Sequence, residues 1–195
     1  MSAVGQNTFR GFRRVNKALS GAKEGFIKYL VQERASLASA LTAVKSRNEL
    51  HRLSNRICDA VRLRLDNIRP SQLHAFNKLR KPVDLYVEHL VAMATELDDA
   101  RHKLVTLLFL PLDSQILAYP RLFSDEELSR FNLTRKSTYS DITSEQMYSA
   151  MQMSAVQRAE SVVAEQRRQF YAIYFDLVWN RRYRNWGGNL FEVNP

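Results

Sequence analysis

The fold turns on residues 48–68, NELHRLSNRICDAVRLRLDNI. Leu50, Leu53, Ile57, Val61, Leu65 and Ile68 recur at steps of three and four, the spacing that puts side chains on one stripe of a helix. Arg52, Arg56, Arg62, Arg64 and Arg69 fan around the remaining surface. Pro70 ends the pattern, because proline disfavours helix in the residue before it. This spacing predicts a helix over about Asn48–Ile68, apolar on one side and cationic on the others.

Working outward, the same periodicity continues. Phe26, Leu30, Leu37, Leu41 and Val44 predict a helix from about Lys23 to Lys45. The short link Lys45-Ser46-Arg47 then folds it against its neighbour as an antiparallel pair. Downstream, Ser71 is a candidate N-cap for a short helix to about Arg80. Pro82 either kinks that helix or starts another. Val83, Tyr86, Leu90, Ala94, Leu97, Leu104 and Leu108 predict one long helix closed by Pro111. Residues 111–143 are irregular, and a connector of this length packs along the bundle or meets a partner. Within it, Ser124 and Glu127 fit a capping box, with Asp125 and Glu126 at the positive end of the helix dipole. Thr143 with Gln146 reads as a second capping box. It opens a helix carrying Tyr148, Met151, Ala155, Ala159, Val162, Phe170, Ile173 and Leu177, with an expected end near Asn180. At about 1.5 Å per residue that helix would exceed 50 Å, so part of it should project or dock on another chain.

The glycines support the same class. All six are Gly5, Gly11, Gly21, Gly25, Gly187 and Gly188, so residues 26–186 contain none. Tight hairpins and phosphate-cradling loops both need glycine, which argues against a β-sandwich, a dinucleotide-binding domain and a P-loop. The expectation is an all-α chain: an elongated helical bundle of four or five main helices with a long C-terminal helix. A basic amphipathic segment, residues 1–22, precedes a single helical domain, residues 23–195.

Searching for chemistry returns little. His51, His74, His89 and His102 fall in no metal-binding spacing, and no CxxC exists, so no metal or cofactor is expected. Cys58, the lone cysteine, borders an apolar stripe and reads as a small buried hydrophobe, although Arg56 or Arg62 could depress its pKa. Asp98 and Asp99 are adjacent on a helix and point to different faces, a poor acid–base pair. No apolar run reaches the roughly 20 residues of a membrane span. The expectation is a protein that is not an enzyme.

Two features stand out. The chain carries a formal net charge of +9, divided as +12 over residues 1–81 and −3 beyond. Residues 1–23 hold no acid, and Phe9, Phe12, Val15 and Leu19 would share one helical face opposite the cations. That is the makeup of a mitochondrial presequence, a membrane-surface helix or a nucleic-acid-binding arm. Arg10, Arg13, Arg14, Lys17, Arg52 and Arg56 are the candidate contacts for RNA, DNA, anionic lipid or an acidic protein. The second feature is the C-terminal run Phe170–Trp186. There Trp179, Arg181, Arg182, Tyr183, Arg184 and Trp186 have the composition of an interface anchor. Met151 is expected in the core, with Met147 and Met153 unplaced. Together these features predict a non-catalytic structural subunit of a larger assembly, mitochondrial by its leader-like start, such as a ribosome or an energy-transducing membrane complex. The alternative is an RNA- or DNA-binding helical protein, including a viral or phage packaging protein, and the third reading is an enzyme with a dispersed site.

Overall fold

In a computed structural model describing residues 6–9 and 11–179, with side chains over 8–9 and 11–176, Ser46 opens the central arginine-rich helix. Its hydroxyl accepts from Glu49 N at 3.3 Å, while the Glu49 carboxylate accepts from Lys45 N at 2.7 Å. This reciprocal cap satisfies two donors that a helix start leaves free. The helix so opened is α3, Arg47–Arg62. It follows α1 (Ala22–Gln32) and α2 (Arg34–Ala43). Then come α4 (Phe76–Met93), α5 (Asp98–Leu107), α6 (Ser114–Leu117), α7 (Asp125–Ser129), α8 (Glu145–Gln166) and α9 (Tyr174–Trp179). The protein is all-α. Among the described residues there is no strand, only an isolated antiparallel bridge between Arg14 and Ile68.

Every residue of the first two predicted stripes is buried, and both join one continuous core. The predicted first helix is interrupted at Glu33 alone, between α1 and α2. The second ends at Arg62, eight residues before Pro70, in a run of tight turns through Ile68.

The long helix expected from Val83 to Leu108 is two helices. Ala94 is extended (φ −81°, ψ 121°). Arg101 stabilises the break by donating to Val91 O at 2.7 Å and to Ala94 O at 3.0 Å, the latter also accepting from Leu97 N at 3.1 Å in the turn that follows. Asp98 and Asp99 then occupy the first turn of α5, where the helix dipole favours them. Pro82 lies inside α4 rather than at its start. The first N–H groups of α4 donate to the connector instead, Phe76 N to Thr143 O and Asn77 N to Ile142 O, both at 3.1 Å.

That connector packs along the bundle. Leu112, Ile116, Leu117, Leu122, Phe123, Leu128, Leu133 and Ile142 are all buried. Ser124 and Glu127 form the expected capping box of α7. The cap of α8 is Ser144, not Thr143; its hydroxyl accepts from Met147 N at 3.2 Å. The expected continuous helix to Asn180 does not occur. Arg167 adopts a left-handed conformation (φ 53°) and stops α8 at Gln166. From residue 160 to 166 its side chains are exposed except for the half-buried Val162. Met151 is buried, Met147 half-buried and Met153 exposed.

Among the described residues of the N-terminal segment, the expected amphipathic helix does not form. Gln6–Phe9 form a single 3₁₀ turn, and Gly11 turns the chain at φ +92°. Phe9 and Phe12 pack on Phe26, with ring centroids 5.2 and 6.4 Å away, whereas Val15 and Leu19 are exposed. Four apolar residues at helical spacing are therefore split between core and solvent.

Leu53 is 6% exposed on the inner face of α3. Ile57, one turn on along the same face and 2% exposed, is the sharper probe: Ile57→Asp should destabilise the protein by about 3–5 kcal/mol, because it buries an unpaired charge. Thermal melting checks this; a variant that melts like the parent would show that this face is not core.

Candidate functional site

The centre of the molecule is polar. On α4, Lys78, Arg80, Lys81 and Asp84 are all buried, and Arg80 is 0% exposed. Arg80 Nε donates to Asp84 Oδ1 at 2.7 Å, four residues on along the helix. Arg80 also donates to Asn55 Oδ1 at 2.6 Å and lies 3.3 Å from His51 Nδ1, both on α3. From α8, the Tyr148 hydroxyl donates to Asp84 Oδ2 at 2.7 Å. The rings of Phe109 and Tyr148 lie 4.7 and 4.8 Å from the guanidinium carbon, and Arg47 sits 4.6 Å from the Phe109 ring. Aromatic faces attract such cations most where water is absent. At the rim, Glu145 accepts from Asn55 at 2.7 Å and lies 2.6 Å from His51 Nε2.

Burial alone would pull Arg80 below its ordinary value, but the charge and hydrogen bond of Asp84 together with Tyr148 and Cys58 outweigh that and raise it, holding the guanidinium charged. Burial pushes Asp84 up while Arg80 and Tyr148 pull it back. Burial also raises Tyr148 well above the phenol range. Hydrogen bonds from His51 and Asn55 hold Glu145 below the usual carboxylate range. Burial pushes the Cys58 thiol up to about 12, so the thiolate-stabilising role open to Arg56 or Arg62 is not realised.

The heart of this cluster is closed to solvent: Arg80 and Tyr148 are 0% exposed and Asp84 3%. Its geometry locks α3, α4, α8 and the 109–112 segment in register. It could have been sought at Arg47-His51-Asn55, Arg80-Asp84-Glu88 and Tyr148-Gln152, polar residues at steps of four that run beside the apolar stripes. Among the described residues, no group of three or more His, Cys, Asp or Glu side chains is placed to hold a metal.

The candidate contact residues lie elsewhere. Arg13, Arg14, Lys17, Arg52 and Arg56 are exposed and form no ion pair among the described residues. Arg52 and Arg56 line an open cleft of about 250 Å³ between α2 and α3, floored by Ala40, Ala43, Val44 and Leu53. The N-terminal strip reaches the other end of α3. Val15 N donates to Asn67 O at 2.7 Å and Arg69 N to Arg13 O at 3.0 Å. The Asn67 amide donates to Asn16 O at 3.0 Å and Ser20 O at 2.8 Å, closing the 16–20 loop. The cationic N-terminal stretch is thus fastened to the chain that extends α3, at the end away from Arg52 and Arg56. Lys78, Arg80 and Lys81 do not share in that surface; they serve internal contacts, Lys78 with Gly11 O at 2.8 Å and Lys81 with Asp113 at 3.2 Å.

Of the C-terminal anchor, the backbone of Trp179 closes α9. Arg181, Arg182, Tyr183, Arg184 and Trp186 lie outside the described residues, as does Arg10. The chain matches no protein-family model, no curated protein and no solved structure.

Two outcomes test the buried cluster. Asp84→Ala strands a buried guanidinium and should cost about 3–5 kcal/mol in denaturant unfolding, whereas exposed Glu160→Ala should change little. Glu88, one turn beyond Asp84, has a sealed Oε2 without a partner. Burial, with Asp176 and Asp84 adding repulsion, pushes its carboxyl up to about 8 from an ordinary 4.5. Between those values the native state holds a proton that the unfolded chain releases, so this group makes stability fall as pH rises through that window. Glu88→Gln should flatten that part of the stability–pH curve, and an unchanged slope would refute the assignment.

Proposed function

We propose that the chain is a non-catalytic helical accessory subunit that docks on an acidic surface of a larger assembly through its cationic N-terminal face. One observation carries the reading: Arg13, Arg14 and Lys17 are stitched onto the loop that extends α3, the helix bearing Arg52 and Arg56. Five exposed cations that form no ion pair among the described residues, against the single carboxylate Glu49 on the wall of the Arg52–Arg56 cleft, leave a positive field that attracts polyanions or acidic protein. The titratable cluster at the centre, closed within the core, serves to fix the helices. The Trp- and Arg-rich run from Trp179 to Trp186 would add a second anchor by its composition.

A ribosome or an energy-transducing membrane complex offers such a surface. The cationic, acid-free composition of residues 1–23 favours a mitochondrial one. Residues 11–20 are hydrogen-bonded into the fold, so on this reading they remain attached after import.

Charge reversal tests the proposal. A tagged chain expressed in its native cells should co-purify with partners in fixed stoichiometry. The quadruple variant Arg13→Glu, Lys17→Glu, Arg52→Glu and Arg56→Glu should lose them by at least about tenfold, with an unchanged melting temperature because all four side chains are exposed. Retention of every partner by the variant would refute docking through this face. Release of the wild-type chain by nuclease alone would move the partner from protein to nucleic acid.

A further inference from the structure

The end of the cationic face is not only charged. Val15 is 63% exposed, Leu19 56% and Leu63 84%; Val31 at 69% and Ile27 at 42%, both on α1, are the other exposed aliphatic side chains of the N-terminal half. Val15 and Leu19 bracket the 16–20 loop, which Asn16 and Asn67 hold in shape: Ala18 N donates to Asn16 Oδ1 and Asn16 N to Asn67 Oδ1, both at 2.9 Å. Arg14 donates to Leu19 O at 3.1 Å across the same loop. Leu63 stands four residues before Asn67, and four residues of chain span at most about 14 Å. Its dihedrals remain helical (φ −64°, ψ −13°). Positions 52, 56 and 63, spaced by four and seven, therefore fall on one line along α3. Arg13, Arg14, Lys17 and Arg69 are exposed on the paired 13–17 and 67–69 segments beside these side chains, with the exposed acids Asp59 and Asp66 on the α3 side, while Arg52 and Arg56 lie farther back along α3.

We infer that this end of the molecule binds an anionic bilayer surface, with Val15, Leu19 and Leu63 entering the headgroup–acyl boundary and the neighbouring cations meeting lipid phosphates and carboxylates. The inference rests on the cationic-docking reading and names its partner. Charge complementarity selects an acidic occupant. The apolar side chains then discriminate between acidic occupants. Single-stranded nucleic acid is held by exposed aromatic faces, yet the aromatics of this region, Phe9 and Phe12, are packed on Phe26. A protein interface is anchored by aromatic and arginine side chains seated in pockets, whereas here aliphatic side chains stand out on a loop and a helix end. Aliphatic side chains flanked by arginine and lysine suit the interfacial zone, where long cationic side chains reach back to the headgroups. No helix among the described residues is long and apolar enough to cross a membrane, so the association is peripheral.

The test is sedimentation of the full chain with vesicles of phosphatidylcholine alone and of phosphatidylcholine with phosphatidylserine, beside a fluorescent single-stranded oligonucleotide at the same salt. Binding should require phosphatidylserine and weaken as salt screens the headgroups. The triple variant Val15→Ser, Leu19→Ser and Leu63→Ser should melt like the parent, since all three side chains are exposed, and lose vesicle binding by roughly tenfold or more. Its weak electrostatic binding to the oligonucleotide should not change. Arg13→Glu with Lys17→Glu should lose binding to both. Vesicle binding that is indifferent to the serine variant, or an oligonucleotide bound more tightly than vesicles, overturns the lipid assignment while leaving cationic docking standing. Binding to neither probe overturns the lipid assignment, and retention of assembly partners by the charge-reversed chain separately overturns the docking reading.

Discussion

A guanidinium with no access to water sets the terms for this fold. Arg80 lies at the middle of the bundle, and a charge there is tolerable only when oppositely charged and hydrogen-bonding groups surround it. Those groups come from different parts of the chain: Asp84 from its own helix, Asn55 and His51 from α3, Tyr148 from α8, and the Phe109 ring from the segment after α5. Each partner fixes the rotation and height of its element. Apolar stripes alone would let helices slide by a turn at modest cost. A bond of 2.7 Å between Tyr148 and Asp84 does not. The acidic and cationic members of the cluster therefore choose one arrangement among the several that burial would accept.

Facing was legible along α1 to α3 and only in part on α4, where Val87 and Val91 are buried and the expected Tyr86 and Leu90 are half-buried; continuity was not legible. The stripe through Leu50, Leu53, Ile57, Val61, Leu65 and Ile68 is buried throughout. Its last two members are reached through turns after Arg62, not by helix. The same holds at Ala94 and Leu97, which keep phase with Val83 while the backbone breaks between them. A periodic pattern records which side of the chain meets the core. It does not record whether the hydrogen bonds run unbroken. The Ala94 break depends on Arg101 reaching carbonyls seven and ten residues back. The Arg167 stop is set by a left-handed residue that is not glycine.

The N-terminal face was legible in charge and illegible in shape. Phe9, Phe12, Val15 and Leu19 sit at helical spacing, yet a glycine at positive φ and pairing with residues 67–69 impose an extended path instead. Such pairing over some 50 residues leaves no local trace. The central cluster escaped the sequence reading for a related reason. Its members stand beside the apolar stripes at steps of four, and polar residues at that spacing ordinarily belong to solvated faces.

Gln152 ties the chain together in another way. Its side-chain amide accepts from Leu110 N at 3.0 Å and donates to Leu110 O at 2.7 Å, as a neighbouring strand would. Arg47 donates to the same oxygen at 3.2 Å. The backbone of Leu110 is thus satisfied by a residue 42 positions later, and until α8 arrives that peptide group keeps its water. Burial of the segment after α5 and docking of α8 are consequently coupled energetically, each lowering the cost of the other. A chain rich in short-range helical contacts carries at its centre a contact formed by closing a long loop, so the entropy of that closure stands in the barrier to folding.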